Sequence, residues 1–149
     1  LGEGSSFFVL SSTKNAHSAA KVDGVKCIQS IKNADELLSI TNLFLQELNI
    51  NLSEIDLVLS GNCGDESMDK DIVEFNDKLK VKVAYFKNLC GEYFTSSAFA
   101  LWLSVEIMNK QKIPSALNSE TFKIGNIKKI VIVNHYHGKQ YSLTCITKC

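Results

Sequence analysis

A single proline, Pro114, interrupts 149 residues, so the chain has no Pro-rich linker, and no repeat or low-complexity tract divides it. Excess charge is also missing. Lys and Arg total 16 and Asp and Glu total 16, which removes the electrostatic case for nucleic acid or an anionic membrane as a partner. No apolar run reaches the ~20 residues of a membrane span, because the most hydrophobic stretch, 94–108, is broken by Thr95, Ser96, Ser97, Ser104 and Glu106. The 5 cysteines form no CxxC pair, and no signal-peptide pattern opens the chain. Both features predict a reducing cytoplasm, where thiols pack as small apolar residues. This length predicts one domain that buries about two thirds of its unfolded surface without staples.

What is present alternates between strand and helix patterns. Residues 6–10 (SFFVL) and 25–31 (VKCIQSI) are β-rich runs around a polar stretch with Asp23-Gly24, and they predict two antiparallel strands. In NADELLSITNLFLQELN, Asn33 and Glu36 have capping-box spacing, and Leu37, Ile40, Leu43, Phe44 and Leu48 form a helical stripe. IDLVLSGNCG reads as a short strand with a glycine stop. MDKDIVEFNDKLK reads as an amphipathic helix with acids early and lysines late. VKVAYF predicts a strand ending near Lys87, followed by a long apolar helix that starts around Glu92 and stops before Pro114. IKKIVIVNHYHG and KQYSLTCIT predict a terminal strand pair. The expected order is β-β-α-β-α-β-α-β-β, an α/β fold with a mixed, mostly parallel five-stranded sheet covered by helices.

In such sheets, ligand sites lie beyond the carboxyl ends of the strands. Three segments qualify: GNCGDES (61–67), KNLCGE (87–92) and NHYHGKQ (134–140). They hold most of the chemically capable side chains and are expected to meet at one edge.

These segments carry a family resemblance. GEGSSFFVL resembles the G-E-G-A-x-x-x-V-L strand of β-ketoacyl-acyl-carrier-protein synthases, condensing enzymes of thiolase fold. LSEIDLVLSGNCGDESMDKDIVEF is similar to their I-x-Y-V-N-A-H-G-T-S-T-P-x-G-D-x-x-E segment. FKNLCGEYFTSSAFALWLSVEIMNKQKIP resembles T-K-S-x-x-G-H-x-x-x-A-A-G with its long helix, and HYHGKQYSL falls on the closing G-F-G-G-T-N-x-x-L. The resemblance implies a thiolase-like C-terminal half spanning 1–149, a fragment lacking the N-terminal half that would carry the nucleophilic cysteine. It retains the family lysine as Lys87 but puts Glu92 at one catalytic histidine and Gly61, Asn62 or Cys63 at the other. A carboxylate cannot donate to a developing oxyanion, because its own charge opposes the one forming. Tyr136, His137 and Gly138 fall on the loop that gates the acyl tunnel.

The implied protein is a chain-length-factor-like partner with a vestigial site of Lys87, Glu92, Asn62 and Cys63. Its implied partners are the missing N-terminal half, a ketosynthase-like subunit in a homo- or heterodimer, and an acyl carrier protein; nucleic acid, membrane and cofactor are not implied. Two alternatives stay open: an active condensing enzyme with rearranged catalysis, and a small ligand- or zinc-binding α/β domain.

Duller readings stand beside these roles. Lys87 and Glu92 serve equally as a solvated lysine and a helix-start acid favoured by the dipole, or as a pair that neutralises itself. Cys63 and Cys90 lack an obvious base and read as inert packing. Asp65, Glu66 and Asp69 read as a solvated turn without calcium-loop order. His135 and His137, as H-x-H on a strand, would share one face and with Cys145 could reach zinc, but no fourth ligand is evident and metal is not the expected outcome. Phe94, Phe99, Leu101, Trp102, Leu103, Val105 and Met108 are expected in the core, some of them facing a companion half or a partner subunit.

Overall fold

The computed structural model describes residues 2–117 and 125–149. Its main elements are β1 (Ala20–Ile28), α1 (Ala34–Glu47), β2 (Leu57–Ser60), α2 (Glu66–Lys78), β3 (Val83–Tyr85), α3 (Lys87–Cys90), α4 (Ser96–Lys110), β4 (Lys129–Tyr136) and β5 (Gln140–Lys148). The strands form one five-stranded sheet in the order β1-β5-β4-β2-β3. β2 pairs in parallel with both β3 and β4, whereas β5 is antiparallel to β4 and β1. The sheet is therefore mixed, with parallel pairing making up half of it rather than most of it, because the terminal hairpin reverses the chain and β1 joins its outer strand.

Period-two alternation distributes the core over both faces. Val58, Val131, Val133, Leu143 and Cys145 pack with Leu37, Phe44, Leu45, Ile72 and Phe75 of α1 and α2. Leu57, Leu59, Ile130, Ile132 and Ile146 pack with Ala100, Leu103, Ile107 and Met108 of α4. Helix starts follow their chemistry. Asn33 accepts from the Glu36 amide at 3.0 Å, and the Glu36 carboxylate takes the Lys32 amide instead of closing the box on Asn33. Asp65 caps α2 by accepting from the amides of Ser67 and Met68.

Three expectations change. Residues 6–10 form no strand; the first strand begins at Ala20 and pairs with β5, leaving Phe7, Val9 and Leu10 at 94%, 103% and 81% exposure. Strand propensity alone does not supply a pairing edge. The long helix begins at Ser96, not at Glu92. Lys87 lies on the separate short helix α3, and Glu92 lies in the link between α3 and α4, so the dipole argument for Glu92 does not apply. Of the apolar residues expected inside, Leu103 and Met108 are buried and Phe99, Leu101 and Val105 are half-buried, but Phe94 and Trp102 are exposed. α4 thus turns one face to the sheet and the other outward. Its end matches expectation, with Gln111 in the left-handed region ahead of Pro114.

Candidate functional site

β2, β3 and β4 run in the same direction, so the turns that follow them emerge at one edge of the sheet. The three segments read as site-bearing do meet there, and they are joined by hydrogen bonds. On β4, the residues in step with Val131 and Val133 face α1 and α2. His135 shares that face and reaches the first turn of α2, where its Nε2 lies 2.8 Å from Asp69 Oδ1. Asp69 also accepts the backbone N–H groups of Cys63 at 2.9 Å and Gly64 at 2.7 Å. Lys87, entering from the end of β3, donates to Glu92 Oε2 at 2.6 Å and to the His135 carbonyl oxygen at 2.9 Å. The Lys87 side chain is 2% exposed and that of Glu92 20%.

Asp69 is therefore a correction, since it is buried at 4% exposure and is not part of a solvated turn. The glycine-rich turn after β2 presents the part-buried Cys63 and Gly64 N–H groups toward α2, and an acid in the first turn of that helix satisfies them. That need for an acceptor was the available sequence signal. Burial alone would raise the Asp69 carboxyl, but the amides of Cys63 and Gly64 and the His135 ring hold it below the ordinary aspartate range.

The hydrogen bonds also settle the His135 tautomer. The Gly138 N–H donates to Nδ1 at 2.9 Å, so Nδ1 carries the lone pair and Nε2–H donates to Asp69. Burial pushes the His135 pKa below the ordinary histidine range, and the nearby Lys87 charge adds to this against the pull of Asp69. The imidazole is a fixed, neutral connector.

The H-x-H zinc arrangement does not form. His137 leaves the strand face and sits in the turn at φ 52°, and Cys145 pairs with Val131 well down the sheet. The ligand atoms of Cys63, Asp69 and His135 do lie within 4.8 Å of one another. A metal-ligating histidine, however, bares one nitrogen and donates N–H from the other. Here the second nitrogen accepts from Gly138 and the first already donates to Asp69. The group fits a hydrogen-bonded knot better than a metal centre.

Asn62 is held apart from this knot. Its Oδ1 accepts from the Ser60 hydroxyl at 2.8 Å and the Asn76 amide at 3.1 Å. Burial raises the pKa of the Cys63 thiol, with Asp69 adding to the shift. Burial likewise raises that of Cys90, so neither is an activated nucleophile.

Tyr136, His137 and Gly138 form the tight turn between β4 and β5, closed by Lys139 N–H to the Tyr136 carbonyl at 3.1 Å. His137 and Gly138 both have positive φ, as at the two central positions of a type I′ turn, within a three-residue connection between the paired Tyr136 and Gln140. A Cβ on Gly138 would lie 2.7 Å from the Met68 carbonyl oxygen, so glycine is required there twice over. Tyr136, on the α4 side, stacks on Phe94 with ring centroids 4.9 Å apart and meets His137 edge-on.

The knot makes a pH prediction. The folded pKa of His135 lies below its ordinary 6.5, so on acidification the unfolded chain takes up that proton first. The contribution is complete above 6.5 and declines as pH falls beneath it. The depressed Asp69 contributes above its ordinary 3.8 and is lost at lower pH still. Denaturant midpoints should therefore fall between about pH 7 and pH 5, and His135→Gln should flatten that fall. A wild-type midpoint unchanged over this window would contradict the burial of a neutral imidazole.

No family model matches the sequence, and no curated protein matches it significantly. Solved structures do resemble it. The ishigamide ketosynthase/chain length factor aligns over 87% of this chain with a TM-score of 0.67 and 14% identity. The PfaC ketosynthase–chain length factor aligns over 92% with a TM-score of 0.70 and 14% identity. The oxazolomycin ketosynthase domain OzmH KS8 of Streptomyces albus JA3453 aligns over 88% with a TM-score of 0.59 and 9% identity. The chain spans only 38%, 14% and 43% of those chains, respectively. The fold is that of thiolase-like ketosynthases and chain length factors.

Proposed function

We propose that this ketosynthase-like chain is the carboxyl-terminal half of a chain-length-factor-like subunit of fatty-acid or polyketide-type biosynthesis, which shapes the product of an active synthase without condensing acyl units itself. One observation carries the reading: the lysine that the family resemblance retains, Lys87, is neutralised by Glu92 at 2.6 Å, at the position where the resemblance expects an imidazole. Decarboxylative condensation needs preorganised donors to a developing negative charge. In this site the ammonium is matched by a carboxylate, and the His135 imidazole already donates to Asp69. The partners on this reading are the amino-terminal half, an active ketosynthase subunit and an acyl carrier protein.

The outward face of α4 supports a companion layer. Trp102 on that face is 45% exposed, and Phe94, in the link just before the helix, is 82% exposed although it stacks on Tyr136; together they offer apolar area that a companion surface could cover. Among the described residues no helix is long and apolar enough to cross a membrane, and a cytoplasmic setting belongs to the same proposal.

The complete protein, incubated alone with acyl and malonyl carrier proteins, should yield no β-ketoacyl product. Added to its cognate active synthase, it should shift the distribution of product chain lengths. Condensation by the protein alone would overturn the proposal in favour of an enzyme with rearranged catalysis.

A further inference from the structure

The helix α4 descends over the sheet from the site edge to the opposite one. It starts just after Glu92, which Lys87 ties to the His135 carbonyl. It ends where Lys148 Nζ donates to the Met108 carbonyl at 2.9 Å and Gln111 Nε2 donates to the Ile127 carbonyl at 2.9 Å. Its buried stripe is Ser96, Ala100, Leu103, Ser104, Ile107 and Met108. The two serines on that stripe fare differently. Ser104 donates back to the Ala100 carbonyl at 2.7 Å, one turn earlier in the helix. Ser96 is the first residue of α4, so no helical turn precedes it to accept its proton. The residue is wholly buried, and its Oγ has no hydrogen-bond partner in the protein.

The sheet presents a matching anomaly. On β4 the row that faces α4 runs Ile130, Ile132 and then Asn134. Beside it, Leu59 of β2 is followed in the same row by Gly61. Asn134 Oδ1 leans over that glycine, since a Cβ there would lie 2.3 Å from it, and it too is buried without a partner. Ser96 begins the helix stripe and Asn134 ends the strand row at the same end of one interface. Lys148 marks a common level at the other end, because its Nζ reaches Met108 and its N–H reaches the Lys128 carbonyl. From there Ser96 stands about 18 Å along the helix, at ~1.5 Å per residue. Asn134 stands about 20 Å along the strand, at ~3.3 Å per residue. The remaining orphan among the described residues, Asn76 Oδ1, belongs to α2 on the other face of the sheet.

We infer that a water molecule is held between α4 and the sheet at the site edge, donating a hydrogen bond to Asn134 Oδ1 and accepting one from the Ser96 hydroxyl. Native interiors rarely leave a buried hydroxyl or amide oxygen unpaired. Two such atoms on facing walls supply the polar lining that a buried water needs. They do not bond to each other, so a bridging molecule has room between them. That molecule is water and not a group of a partner, because this chain alone closes both atoms off from the surface. Gly61 keeps the space open, since any side chain there would drive into the Asn134 amide. On the functional reading above, Gly61 stands at or beside a lost imidazole, and the water then closes the site from the α4 side as the Lys87–Glu92 pair closes it at the edge. The binding of the water itself rests on the two orphaned atoms alone.

A crystal structure of the complete protein, purified with whatever polypeptide accompanies it and refined finely enough to show solvent, tests this. One ordered water should lie about 2.6–3.2 Å from both Asn134 Oδ1 and Ser96 Oγ. Denaturant unfolding of Ser96→Ala, Asn134→Leu and the double variant gives an independent reading. Each single variant should lower the midpoint, because the water loses one partner while the other polar atom keeps its need. The double variant should unfold about tenfold less readily than the product of the two single effects predicts, since nothing polar is then left to satisfy. A site without water, a direct Ser96–Asn134 hydrogen bond, or a water touching only one of the two atoms would overturn the inference. So would a Ser96→Ala protein more stable than wild type, or single effects that merely add. A condensing activity would sink the functional proposal and leave the water where it is.

Discussion

Replacing Lys87 with methionine should lower folding stability by about 3 kcal/mol, the lower end of the cost of removing one member of a buried ion pair. Lys87 is buried against Glu92 and the His135 carbonyl, so its loss strands a carboxylate and a carbonyl oxygen together. Glu92 keeps some solvent contact, which is why the lower end applies. The double variant Lys87→Met with Glu92→Leu should recover most of that loss, because an apolar pair carries no unmatched charge. Denaturant unfolding of the two single variants and the double variant gives the coupling. If Lys87→Met proves nearly neutral, the pair is not the closed structural unit described here, and the lysine is available for chemistry.

Asp69→Ala should cost about 3 kcal/mol, since it leaves the buried His135 ring N–H without an acceptor, at roughly 1–3 kcal/mol, and two part-buried backbone N–H groups that water can partly serve, at less each. These donors are the amides of Cys63 and Gly64 and the ring N–H of His135. Asp69→Asn should fall between the alanine variant and wild type. Its single carbonyl oxygen can serve Cys63 and His135, but its amide nitrogen then faces the Gly64 N–H, donor against donor. Urea unfolding ranks the three. Equal stability of the asparagine and wild-type proteins would show that the charge on Asp69 is not what holds the turn after β2 to β4.

Much of this architecture was legible beforehand because it rests on local chemistry. The Asn33 cap, the strand of IDLVLS, the helix that follows GNCGDES and the closing hairpin each carry their own signal, and sheet topology then brings three turns to one edge. The convergence of Lys87 with the two other segments followed from that topology. The misses share a cause, which is that the deciding partner lay elsewhere in the fold. Asp69 looks like a solvated acid until the glycine turn needs acceptors. His135 and His137 look like a pair until the hairpin turn takes His137 off the strand face. Residues 6–10 look like a strand and find no edge in their own sheet. Glu92 looked like the start of a helix, but Gly91, at φ 74°, ends α3 and leaves Glu92 free to turn back on Lys87.

The central claim is that the site edge is a closed knot in which His135 serves only as a neutral connector. Nitrogen NMR of the His135 ring, followed from about pH 8 to pH 5, tests it most directly. The account predicts a proton on Nε2, a lone pair on Nδ1, and no titration above the ordinary histidine value. A proton on Nδ1, or a His135 that becomes charged near neutral pH, would contradict it.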